Sequence, residues 1–246
     1  MSHRPKIDFI YAQHNPSNHA RIIDALKASD GQVLAVEAVG ESQDERRAVE
    51  RVVNRVFDPA SELHAPDIEQ LLEYGDGFID YIVTAFEDSG KTFSLIDISS
   101  EHRITQLVGH TYRLHKTLLE KMWSGVSNAE LRAPMRNILE LDAHAVTARE
   151  RTVFTQLTTL MSRHPEQHIT VFEGADHTRV SHALGRVASV SRAFVPAIEH
   201  VTDASAGVTM RYPAYDLLLR QLLFDKPVTD AQIDEYLEYY VDRLTS

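Results

Sequence analysis

Four side chains that can bind a metal or transfer a proton each follow closely on a short apolar segment of the sequence. They are His14, Glu37, Asp97 and His177. Imidazole and carboxylate groups are ligands that Zn²⁺, Mn²⁺ and Fe²⁺ take from proteins, with further positions left for water or substrate. If the apolar segments are strands of one parallel sheet, the residues after them meet at its carboxyl edge, where ligands bind. The pattern therefore predicts a site at that edge, with His14, Glu37 and His177 as metal ligands.

Each of these residues also has a simpler structural interpretation. A carboxylate at the end of a strand can cap a helix or pair with an arginine, and we prefer that interpretation for Asp97. His177 could be a surface residue beside a helix cap. For His14 and His177 we favour a functional role, because each lies at a turn from a strand to a helix. His19 could support the site and its cofactor, or lie on the exposed face of the first helix; the sequence leaves both open.

The elements that must position these residues alternate between strand and helix patterns. Such an order is typical of an α/β fold with a mostly parallel sheet core. The first strand, the first helix and the second strand follow one another closely, which predicts a βαβ unit with two adjacent parallel strands. The predicted strands are Lys6–Ala12, Gln32–Val36, Lys91–Ile98, His168–Phe172 and Ser189–Val195.

The strand before Gly174 is the one that we expect to build the site. It is followed by a turn that contains Gly174 and then, from Thr178, by a helical pattern. Glycine permits a tight turn, and His177 would stand at its mouth.

Two long helical patterns, His102–Trp123 and Asn128–Arg163, interrupt the succession of strands. Pro134 predicts a first turn or a kink in the second of them. Without a repeat or a linker to divide the chain, we expect one α/β domain over residues 1–246 with a helical insertion around 101–163. Shorter helices are predicted up to Ser29, over Glu41–Phe57, Asp67–Tyr74, Phe78–Glu87, Pro213–Phe224 and Thr229–Leu244.

Composition excludes several classes of partner and chemistry. The formal net charge of -11 disfavours nucleic acid and anionic membrane surfaces, which require a positive field. The absence of cysteine excludes disulfides, thiolate metal sites and cysteine nucleophiles. The start of the chain does not have the pattern of a signal peptide, and no segment is long and apolar enough to span a bilayer, so we expect a cytoplasmic protein.

Four landmarks in order resemble those of the TIKI/TraB-like superfamily, which includes erythromycin esterase-like and haem-binding ChaN-like proteins. The residues from Gly174 to His177 match its Gly-x-x-His motif, and Glu37 matches an acidic residue after the second strand. The helical segment from Arg149 is similar to the one that holds the family's arginine. The start Gln13-His14-Asn15-Pro16, with His19 beyond, is similar to the ChaN-like branch.

The resemblance implies a metal-dependent hydrolase that acts on an amide, ester or phosphoester of a small-molecule or peptide substrate. Arg149 would supply a fixed positive charge, whereas Arg151 would point elsewhere. The first motif departs from the family, because Tyr11 stands in place of glycine and Ala12 in place of a frequent glutamate. The absent glutamate favours the alternative of a haem or small-ligand binding protein without catalysis, and a degenerate interaction module is a third possibility.

Other polar and aromatic residues have simpler interpretations. We expect the basic residues of the first long helix, His115 among them, to form a solvated face. Tyr236, Tyr239 and Tyr240 could contact a partner subunit of a homo-oligomer or pack in the core.

Overall fold

The computed structural model describes residues 4–12, 18–38, 42–64, 77–174, 177–195 and 213–245. The chain folds into two compact units. The first comprises Met1–Glu101 and Glu150–His200, and the second His102–Arg149 and Val201–Ser246. The inserted helices that the sequence predicts therefore belong mostly to the second unit, together with the C-terminal helices.

The first unit contains a five-stranded sheet in which every pair of neighbours is parallel. The order across the sheet is β3-β2-β4-β1-β5. The α/β class and the parallel core that the sequence predicts are thereby confirmed. The strands are β1 Lys6–Ala12, β2 Val33–Glu37, β3 Thr92–Ile96, β4 Ile169–Gly174 and β5 Ser189–Phe194.

The predicted adjacency of the first two strands is wrong, because β4 lies between β1 and β2. Ile169 of β4 is in register with Ile7 on one side and with Val33 on the other. β4 is buried along almost its whole length, as the centre of a sheet covered on both faces requires. Periodicity identifies such an apolar strand, but the position of a strand in the sheet depends on contacts between segments far apart in the chain.

Alternate strand residues face opposite sides of the sheet, and helices cover both sides. Residues such as Leu34 and Phe172 face a core formed with the first three helices, α1 His19–Ala28, α2 Gln43–Phe57 and α3 Gly77–Phe86. Residues such as Phe9 and Val171 face a second core, which includes Val153 and Val180. Those two belong to α5 Asn128–Arg163 and α6 Thr178–Leu184.

Side chains of α2 form hydrogen bonds with the backbone at the outer edge of β3. Asn54 donates to the carbonyl oxygen of Phe93 at 2.8 Å and accepts from its N–H at 2.7 Å. The next outward N–H, that of Leu95, donates to Glu50 Oε1 at 2.7 Å. These side chains occupy the hydrogen-bonding positions that another strand would take, and so they protect the edge from unwanted pairing.

The second unit is helical among its described residues, with its own apolar core. It contains α4 Arg103–Trp123, the first part of α5 including Pro134, α7 Pro213–Leu223 and α8 Asp230–Thr245. Buried residues of all four helices form this core, among them Leu118, Met135, Leu219 and Ile233, and Tyr236 is buried with them.

His115 does not belong to a solvated face, contrary to the expectation for its helix. Its Nε2 lies 3.1 Å from Asp142 Oδ2 and 3.3 Å from the hydroxyl of Tyr215, which also donates to Asp142. The Tyr215 hydroxyl and the Asp142 carboxylate are buried, so the His115 imidazole contacts two polar groups inside the helical unit.

The helix predicted over 67–74 falls outside the described residues, and so does Tyr240 as a side chain. Within the part of the chain that the structure describes, no helix is both long and apolar enough to cross a membrane.

Candidate metal site at the carboxyl edge of the sheet

Gly174, the last residue of β4, leaves room for two polar side chains at the carboxyl edge. Its N–H donates a short hydrogen bond to Glu37 Oε2. A Cβ atom at this position would lie 3.2 Å from Glu37 Oε2 and 3.7 Å from Cδ2 of His177. The absence of a side chain therefore lets the carboxylate and the imidazole rest against the end of the strand.

Glu37 and His177 lie side by side at this edge, where the sequence predicts both. His177 Nε2 is 3.4 Å from Glu37 Oε1, and His177 and Glu37 are 2% and 8% exposed, respectively. The interpretation of His177 as a surface residue is thus wrong. It occupies the N-cap position of α6 without a side-chain capping bond, and its backbone N–H donates to the carbonyl oxygen of Gly174 at 3.1 Å. The buried Nδ1 has no hydrogen-bond partner among the described residues.

Asp97 joins this pair from the end of β3. It is 1% exposed and has a φ of 96°, a backbone conformation that is strained for a residue with a side chain. Gln156 accepts from its N–H at 2.6 Å, and its carbonyl oxygen accepts from Arg46 at 2.9 Å. These contacts hold the backbone in a conformation in which Asp97 Oδ1 accepts from the N–H of Ile98.

The side chains of Glu37, Asp97 and His177 form one buried group of potential metal ligands. Their potential ligand atoms all lie within 4.8 Å of one another. Two ligands that are each about 2.1 Å from a tetrahedral ion are about 3.4 Å apart, so binding of an ion would draw the three side chains closer together. Two carboxylates and an imidazole suit zinc, manganese or iron. Buried carboxylates are found paired or bound to metals, because burial of an isolated charge is costly.

Asp8, Asp30 and His168 form a second group of this kind, at the amino edge of the sheet. Both ring nitrogens of His168 already face carboxylates: Nδ1 lies 2.7 Å from Asp30 Oδ1 and Nε2 lies 2.9 Å from Asp8 Oδ2. The side chain of Asp30 is 81% exposed. An imidazole shared between two carboxylates links β1, β4 and the turn before β2, and we interpret this group as structural.

The other predicted site residues have different outcomes. His14 lies outside the described residues. Arg149 is buried in α5 whereas Arg151 is exposed, so the prediction that the two differ in orientation is confirmed, although the role of Arg149 stays a prediction. His19 is buried and is not on an exposed helix face. Its ring centroid lies 4.9 Å from that of Phe78 and 5.2 Å from that of Tyr81, which belong to α3.

Two further buried polar residues lie near the carboxyl ends of strands. Tyr11 of β1 is in register with Glu173 of β4, and both are fully buried. Burial raises the pKa of the Tyr11 phenol well above its ordinary value, and the negative charge of Glu173 raises it further. From the sequence, Tyr11 was identified only as a departure from a glycine, and Glu173 was missed. The signal for Glu173 was a charged residue at the end of an otherwise apolar strand.

No protein-family model, curated protein or solved structure matches this chain. The resemblance suggested by the four sequence landmarks therefore stays a prediction.

Proposed function

We propose that this chain is a metal-dependent hydrolase whose cation is bound by Glu37, Asp97 and His177. The observation that carries the proposal is the convergence of these three buried side chains from β2, β3 and the β4–α6 turn. Three protein ligands leave coordination positions for water and substrate, as in other catalytic metal sites. His14, which follows β1, is a candidate for a further ligand.

The residues around the cation have distinct tasks in this proposal. Glu37 is fixed by the N–H of Gly174 and would in turn orient the His177 imidazole. Asp97 is held by the contacts of its backbone with Gln156 and Arg46. Such fixed ligands reduce the reorganisation that binding requires. A bound divalent cation would lower the pKa of a water molecule and polarise the carbonyl or phosphoryl oxygen of a substrate.

The donor set favours a hydrolytic divalent cation over the haem alternative. Two carboxylates beside one imidazole are hard, charged oxygen donors, which suit zinc, manganese or iron ions. Haem iron instead takes one or two axial ligands, from histidine, cysteine, methionine or tyrosine. A Soret shift on titration with haemin that disappears in His177→Ala would favour the alternative.

The test is hydrolysis by chelator-treated protein to which Zn²⁺, Mn²⁺ or Fe²⁺ is returned. The probes are p-nitrophenyl acetate, a peptide p-nitroanilide and p-nitrophenyl phosphate, which cover the ester, amide and phosphoester classes. We expect activity on one probe that needs the metal and falls by about 100-fold or more in Glu37→Gln, Asp97→Asn and His177→Gln. His182→Gln changes an exposed histidine of the same helix α6 and should retain activity. Hydrolysis that persists in all three site variants, or without any metal, would refute the proposal.

A further inference from the structure

The N-terminus of α1 contains a buried amide that makes no capping bond. Asn18 is the N-cap residue of this ten-residue helix, and its side chain makes no capping hydrogen bond. It is 0% exposed, and among the described residues neither its Nδ2 nor its Oδ1 has a hydrogen-bond partner. Buried polar groups in proteins are nearly always bonded, so an unbonded amide at this position indicates a missing partner.

The charges of the first turn also differ from those of an ordinary helix start. Acidic side chains usually lie there, because the helix dipole places partial positive charge at the N-terminus. The first turn of α1 contains no acidic residue, and its sequence includes His19 and Arg21. By contrast, α2 begins with a complete capping box between Ser42 and Glu45. The positive end of α1 is thus not offset by a carboxylate of its own first turn.

We propose that Asn18 and the N-terminus of α1 bind an anionic oxygen group, a carboxylate or a phosphoryl group, of a small ligand. The amide nitrogen of Asn18 and the first backbone N–H groups of the helix would donate hydrogen bonds to the anion. A ligand oxygen supplies the acceptor that the buried Nδ2 lacks.

The position of this anion site relates it to the candidate metal site. Asn18 begins the helix that follows β1 in the chain, and Ala12, the last residue of β1, is in register with Gly174. Gly174 in turn contacts Glu37 and is next to His177. A substrate with an anionic group could therefore be anchored by α1 while its reacting bond lies at the metal. This use as an anchor rests on the proposed function, whereas binding of the anion does not.

The experiment is calorimetric titration of the full chain, in the presence of a chelator, with inorganic phosphate and separately with acetate. Asn18→Asp is nearly isosteric and retains a favourable N-cap residue, but it places a negative charge where the anion would bind. We expect the wild type to bind one of the two anions and Asn18→Asp to bind it at least about tenfold more weakly. Ser42→Asp adds the same charge to a helix start that is already capped, and it should bind like the wild type.

The two probes distinguish the chemical sources of the anion: preference for phosphate indicates a phosphoryl group, and preference for acetate a carboxylate. A second measurement needs no variant, because the side-chain amide resonances of Asn18 should shift on titration of the wild type. A wild type that binds neither anion, or Asn18→Asp with unchanged affinity, would overturn the proposal. A wild type that binds one of the anions but binds no metal ion would count only against the proposed function.

Discussion

At the scale of single residues, Gly174 determines whether Glu37 and His177 can occupy the same edge. The Glu37 carboxylate has little freedom to withdraw, because it accepts the N–H of Gly174 itself. The pair is also enclosed, with both side chains almost fully buried. The glycine is needed for this close approach of side chains.

We therefore predict that Gly174→Ala weakens metal binding and lowers the free energy of unfolding by about 1–3 kcal/mol. The added methyl group would begin 3.2 Å from Glu37 Oε2, and the carboxylate would have to move. Urea denaturation and metal titration measure the two effects. Gly109→Ala is the control, since its nearest neighbour is a flexible arginine atom at 3.8 Å and alanine suits a helix. Equal metal affinity of Gly174→Ala and the wild type would contradict this account of the glycine.

Tyr11 gives a prediction about alkaline stability. Its pKa is raised in the folded protein by burial and by Glu173, so the folded state retains a proton that the unfolded state releases above about pH 10. The contribution of Tyr11 to stability is therefore fully present below that pH and is lost as the pH rises further.

Urea denaturation between pH 8 and pH 11 should show a steeper loss of stability for the wild type than for Tyr11→Phe. Tyr112→Phe removes an exposed tyrosine and should follow the wild type. The interpretation fails if the Tyr11→Phe profile runs parallel to the wild-type profile above pH 10.

The sequence predicted that Glu37 and His177 lie at the carboxyl edge of the sheet, and the structure has both there. Glu37 and His177 were identified because each follows a recognisable strand, and parallel strands bring their carboxyl ends together. The proximity of Asp97 to this pair was not predicted, since its position depends on a strained backbone conformation held by Gln156 and Arg46. Those contacts join segments that are far apart in the sequence, and no local pattern reports them.

At the scale of elements, the types and approximate bounds of the strands followed from alternation and apolar runs. β1 coincides with its predicted range Lys6–Ala12, and the long helix Asn128–Arg163 does as well. The order of the strands did not follow, because β4 comes from the far end of the chain and inserts between β1 and β2. Local propensity indicates what each segment forms, whereas the order depends on which surfaces pack together.

The hydrogen bonds between α2 and the edge of β3 give a prediction about stability. Asn54→Ala removes both side-chain hydrogen bonds with Phe93 and leaves its backbone groups without these partners. We expect a loss of about 2–3 kcal/mol in the free energy of unfolding and a greater tendency to aggregate. Arg51→Ala, an exposed change on the same helix, should have little effect. Unchanged urea midpoint and solubility of Asn54→Ala would show that the edge does not need this protection.

At the scale of the whole molecule, the chain combines a sheet-containing unit with a helical unit, and each has its own core. Composition predicted the overall acidic character, and the helical insertion was visible as two long periodic segments. The sequence did not show that the C-terminal helices join the inserted ones, since that grouping depends on tertiary packing. All three ligands of the proposed metal site come from the sheet-containing unit.

The most direct test of the central claim is the metal content of the protein after incubation with zinc, manganese or iron and removal of unbound ions. We predict about one tightly bound ion per chain for the wild type and its loss in His177→Ala, since a ligand is removed. His182→Ala should retain the ion, and so should His168→Ala, which changes the group that we interpret as structural. A wild type without bound metal, or a His177→Ala variant that retains it, would contradict the assignment of Glu37, Asp97 and His177 as the metal site.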